Sequence, residues 1–153
     1  MVSRFTQWTL DVADVGRMAA FWAAALGYEI DDDGQHLRPP AGAAPEALTV
    51  WLQQSSEPKR AKNRAHPDLC VKAEGELEDE IRRLLSLGAS RADVGQTGDE
   101  GFTVLADPEG NEFCLIHIHQ PCADHRMRPE AAAARDPTTS VMVVSRDGAR
   151  SAR

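Results

Sequence analysis

The sequence has no surplus of positive charge. Its 17 lysines and arginines are outweighed by 24 aspartates and glutamates, for a net charge of −7. A chain of this sign has no electrostatic footprint for a phosphate backbone or an anionic lipid surface, so neither a nucleic-acid nor a membrane partner is expected. Long apolar runs are missing too: none approaches the roughly 18 residues of a membrane span. The opening residues reach Trp8 and Asp11 without an apolar signal core, which predicts a cytoplasmic location. Cysteine is scarce, with 3 residues at positions 70, 114 and 122, an odd count without framework spacing. Free thiols in a reducing compartment are therefore expected. There is no glycine-rich strand-to-helix turn to cradle a phosphate, since "DVADVG" does not qualify.

What is present is periodicity. Residues 5–12 alternate, with Trp8, Leu10 and Val12 on one face and Gln7, Thr9 and Asp11 on the other, which predicts a two-faced strand. Asp14 can cap a helix over "VGRMAAFWAAALG", whose Met18, Phe21, Trp22, Ala25 and Leu26 recur at helical spacing before Gly27. "YEI", "QHLRP" and "ALTVWLQQ" read as strands, with "DDDG" as a solvated hairpin turn rather than a cation loop. After the polar connection "SSEPKRAKNR" the order recurs. "HPDLCVKA" reads as a strand, and "ELEDEIRRLLSLG" as an amphipathic helix with Leu77, Ile81, Leu84 and Leu85 on one side and i,i+4 charge pairs in "EDEIRR". "ASRADV", "GFTVLAD" and "EFCLIHIH" read as strands, the last two joined by the tight turn "DPEGN".

Gly27 and Gly88 end the two helices 61 residues apart, and Leu10 and Leu69 mark the opening strands 59 apart. The near-equal offsets predict a duplicated β-α-β-β-β unit, and neither copy alone can cover both faces of its sheet. Residues 120–153 differ in composition. This polar tail is expected to be loosely held, with "SVMVVS" as a candidate edge strand. His117, His119, Cys122 and His125 match no recognised zinc spacing.

The opening "QWTLDVADVGRMAAFWAAALGYEI", the second opening "HPDLCV" and the closing "FTVLADPEGNEFCLI" resemble the glyoxalase / bleomycin-resistance / extradiol-dioxygenase group, the vicinal oxygen chelate superfamily. The likeness covers about residues 4–118. It implies an α+β fold of two tandem β-α-β-β-β modules, residues 4–55 and 64–119, whose curved sheets form a central cleft. Within residues 1–119 this would be one glyoxalase-like domain. It does not imply one reaction, because this fold hosts isomerases, dioxygenases, epimerases, thiol transferases and drug-binding proteins.

The resemblance also implies ligand positions on the first and last strand of each module. The first-strand positions fall on Gln7 and His66. On the last strands they fall near Trp51, within "LTVWLQ", and on Cys114, where a glutamate is usual. Gln7, Thr9, Trp51, His66, Asp68 and Cys114 are therefore the expected pocket residues. As metal donors the candidates are Gln7, His66 and Cys114, with Asp68 or Asp11 as substitutes on the same strand faces. Two carboxylates are expected in a glyoxalase-type site and neither matching strand position supplies one. No resident cofactor is thus expected, a divalent metal being the alternative. The implied function is small-molecule binding, against a metal-dependent lyase, isomerase or dioxygenase. The implied partner is a small-molecule ligand, and a homodimer is left open.

Overall fold

The computed structural model describes residues 2–71 and 76–116. Strand β1 (Gln7–Val12) has the two faces its alternation predicts: Leu10 and Val12 are buried and Trp8 half-buried, whereas Gln7, Thr9 and Asp11 are exposed. Helix α1 (Val15–Leu26) starts where the Asp14 carboxylate accepts a hydrogen bond from the Arg17 amide at 3.0 Å. It stops at Gly27, whose φ of 68° is left-handed and costs glycine nothing. Strands β2 (Glu29–Ile30), β3 (His36–Arg38) and β4 (Thr49–Gln54) complete the first half. The second half repeats the order with β5 (Asp68–Cys70), α2 (Leu77–Ser86), β6 (Ser90–Arg91), β7 (Phe102–Ala106) and β8 (Glu112–Ile116).

Two local expectations change. Strand β5 is shorter than "HPDLCVKA" and leaves His66 ahead of it, because Pro67 has no amide proton to give a ladder. The Pro67 carbonyl still accepts from the Cys114 amide at 3.0 Å, so this segment stays alongside β8. On α2 the charge pairs are i,i+3, Arg82 with Asp79 and Arg83 with Glu80, not i,i+4. Arg83 is drawn toward α1, where it donates to the terminal carbonyls of Ala24 and Ala25 at 3.0 Å each, a favourable place for a cation.

The strands form two four-stranded sheets of like order, β1-β4-β3-β2 and β5-β8-β7-β6, curved and not closed. In each, the first and last strands of the unit run parallel and the rest antiparallel. The registers correspond as well: Thr9 lies opposite Trp51, and Asp68 opposite Cys114.

Both halves share one core. Met18, Phe21 and Trp22 of α1 pack with Leu10, Val12, Leu37, Val50 and Leu52, and the same cluster continues through Ile81, Leu84, Leu105, Phe113 and Leu115. The junction is aromatic, with Trp22 and Phe113 ring centroids 5.3 Å apart and Phe21 and Phe113 6.2 Å apart, distances at which edge-on packing adds to area burial. The core-facing sides of the two sheets therefore meet through this stack. The sides bearing Gln7 and Cys114 lie away from it.

The turn "DPEGN" bolts the halves together. Asp107, 2% exposed, accepts the amides of Glu109 and Asn111 at 2.9 Å each, the Asn111 side chain, and the Trp22 indole N–H at 3.3 Å. Burial pushes its carboxyl upward against these hydrogen bonds. Glu109 crosses to the first half, its carboxylate accepting the Ala13 amide at 2.8 Å and the Asp14 amide at 2.7 Å, just ahead of α1. The motif that identified the fold is thus structural.

Candidate functional site

The outer face of the second sheet carries the richer chemistry. Period-2 alternation puts Glu112, Cys114 and Ile116 of β8 on one side with Phe102 and Val104 of β7 and Asp68 of β5. Together with Lys62, His66 and Val94 these side chains line a hollow of about 350 Å³. At one end His66 Nε2 lies 3.3 Å from Asp68 Oδ1. His66 thus pairs two residues along its own segment and not across the sheet. The donor atoms of His66, Asp68 and Cys114 all lie within 4.8 Å of one another, the one such group among the described residues.

Cys114 is a buried free thiol. Burial holds it protonated, the Asp68 charge and a hydrogen bond to that carboxylate add to this, and Lys62 pulls weakly the other way. Lys59 binds Glu112 at 2.8 Å, and the Asn63 amide binds its second oxygen at 3.0 Å. Burial pushes Glu112 up, but these bonds together bring its carboxyl below the ordinary value. Cys70 departs from the expectation of free thiols: it is disulfide-bonded, which an exposed place on an edge strand permits.

The corresponding face of the first sheet is built differently. Gln7 accepts from the Thr49 hydroxyl at 3.4 Å and donates to Thr9 at 3.3 Å, while the Trp51 indole donates to Gln53 at 3.2 Å. The His36 and Trp51 rings meet edge-on at 5.8 Å. The "DDDG" turn is the expected hairpin, Asp33 accepting the amides of Gln35 and His36. The structure therefore brings His66, Asp68 and Cys114 together, whereas Gln7, Thr9 and Trp51 lie on the other sheet and do not line this hollow. Sequence reasoning missed Lys62, Val94, Phe102, Val104, Glu112 and Ile116. The alternation of β7 and β8 around Cys114 could have found the strand residues; Lys62 and Val94 sit on loops without periodicity.

A family model described as a glyoxalase-like domain matches residues 7–116. The chain belongs to the glyoxalase-like domain family. Solved structures share this fold at low identity. FosX, a fosfomycin resistance protein from Listeria monocytogenes, was solved as a mutant complexed with Mn(II) and 1S,2S-dihydroxypropylphosphonic acid. It is 18% identical with a TM-score of 0.57, and the match covers 76% of this chain and 91% of that one. A glyoxalase/bleomycin resistance protein/dioxygenase family enzyme from Burkholderia phytofirmans PsJN is 14% identical with a TM-score of 0.57, over 74% and 97% of the two chains. The hypothetical protein SA1046 from S. aureus is 20% identical with a TM-score of 0.54, over 77% and 99%. No curated protein sequence matches the chain. The expectations for residues 117–153, including the edge strand and the His117, His119, Cys122 and His125 group, lie outside the described residues, and no described helix is long and apolar enough to cross a membrane.

The donor set bears on the metal question. Nitrogen, carboxylate and sulfur from His66, Asp68 and Cys114 suit Zn²⁺, a borderline-soft ion. They suit poorly a hard ion that wants several oxygens.

Proposed function

We propose that this member of the glyoxalase-like family binds a small organic molecule in the hollow of the second sheet, without a complete metal centre. The observation that carries the reading is Cys114. It occupies the β8 position at which the family resemblance leads one to expect a carboxylate, and its thiol is kept protonated by burial and by Asp68. Only Asp68 then offers an anionic oxygen beside His66, while Phe102, Val104 and Ile116 supply an apolar wall. A mostly apolar pocket with a few convergent polar groups suits ligand recognition. Gln7, Thr9 and Trp51 lie on the other sheet and this hollow does not need them, so a homodimer is a separate proposal.

A second reading rests on the convergence of His66, Asp68 and Cys114. These residues would hold Zn²⁺, and the ion would supply Lewis acidity to a bound oxygen. Elemental analysis of mildly purified protein separates the two. The binding reading expects far less than about one equivalent of metal. A full equivalent, lost in His66→Ala with the fold intact by circular dichroism, would overturn it in favour of a zinc centre. Light scattering tests the dimer.

A further inference from the structure

One cation on the lining of the hollow, the exposed Lys62, has no carboxylate partner among the described residues. Glu112 is neutralised by Lys59 at 2.8 Å and also accepts the Asn63 amide. Asp68 is engaged by His66 at 3.3 Å and by the Cys114 thiol. Lys62, on the same lining, has no carboxylate within ion-pair reach among the described residues, and its ammonium donates to the Asn63 carbonyl at 3.3 Å. Val94, Phe102, Val104 and Ile116 share the lining with these polar groups. Val94 is 37% exposed, an apolar side chain left partly uncovered at this hollow.

We propose that the ligand of this site is a small organic monoanion: an apolar body of about one ring, set against Phe102 and Val104, and a single carboxylate directed to Lys62. This rests on the binding reading above and names the ligand class for that site. The volume of about 350 Å³ lies at the small end of ligand pockets, which run from roughly 300 to 1,000 Å³, and so favours a one-ring molecule. The charge argument selects a monoanion. One ammonium has no carboxylate partner among the described residues and can answer one negative charge, and a second would meet no further cation, since Lys59 is held by Glu112. A neutral ligand would leave the exposed Lys62 to solvent, and a cation would face it directly.

Amide NMR titration of the full chain tests this with benzoate, neutral benzamide and dianionic phenylphosphate, in the wild type, Lys62→Met and Lys62→Arg. Benzoate is expected to shift the amides of Val104, Cys114 and Ile116 and to bind about tenfold more tightly than benzamide, the scale of one charge-assisted hydrogen bond. Lys62→Met is expected to bring benzoate to the level of benzamide and leave benzamide unchanged, while Lys62→Arg keeps the preference. Benzamide binding as well as benzoate, or a preference that survives Lys62→Met, overturns the ligand class and leaves the pocket reading standing. Tighter binding of phenylphosphate overturns the single-charge argument. If no probe shifts these amides, the pocket reading falls and this inference with it.

Discussion

The two halves of the chain share strand order and register and differ in what their outer faces carry. Where the first sheet has Thr9 opposite Trp51, the second has Asp68 opposite Cys114. On the first face Gln7, Thr9 and Thr49 hydrogen-bond among one another, and Trp51 meets Gln53 and His36, whose buried Nε2 has no hydrogen-bond partner among the described residues. The second gathers two carboxylates, a histidine, a thiol and a lysine beside an apolar wall. Duplication therefore supplies a scaffold twice, and chemistry is decided position by position on it. The core sides of the two sheets diverge less, because both must fill the same interior.

The sharpest way to break this comparison is at the shared core. Phe113→Ala or Trp22→Ala removes the ring contact between halves and is expected to cost about 3–5 kcal/mol in urea unfolding. The transition should remain single; two separated transitions would show that the halves fold independently. The next effect is smaller. Glu109→Ala deprives the Ala13 and Asp14 amides of their acceptor and should cost about 1 kcal/mol, since water can partly replace it.

The thiol tests the electrostatics of the second face. Cys114 titrates higher folded than unfolded, so its protonated form contributes stability that is full below its ordinary value of 9.0. That contribution is lost as pH rises through the raised folded value. Cys114→Ala should flatten the alkaline limb of a melting-temperature profile, and an unchanged limb would contradict the assignment. At pH 8 iodoacetamide should label Cys114 several-fold more slowly than a free cysteine, and Asp68→Asn should speed it, as peptide mass mapping would read. The smallest difference is on α2. Arg82→Ala removes an exposed pair and should cost about 0.3 kcal/mol, whereas Arg83→Ala also frees the last carbonyls of α1 and should cost about 1 kcal/mol. Equal costs would remove the seam from the comparison.

Much of the fold was legible because its signals are local. Asp14 and Gly27 bound α1 as caps of the expected type, and the period-2 pattern of residues 7–12 marked a strand with a buried and an exposed side. The site was legible only along single strands. The family resemblance pointed to His66 and Cys114, with Asp68 on the strand face of His66, but Lys62, Val94 and Phe102 reach the same hollow from distant positions, and no periodicity connects a loop lysine to a strand cysteine. Pro67 shortened β5 for a reason visible in the chain, the missing amide proton, whereas the contact of Arg83 with the last carbonyls of α1 depended on the two helices lying side by side.

By itself the sequence determined the repeated unit, its caps and the buried side of its clearest strand, since these follow from spacing and from the backbone demands of proline, glycine and short polar residues. Tertiary structure alone decided which faces meet. Burying Phe21, Trp22 and Phe113 in one interior turns the core sides of both sheets together. Hydrophobic burial has no preference for particular partners, so only the packed fold could separate Gln7 from His66 and bring Lys62 beside Cys114.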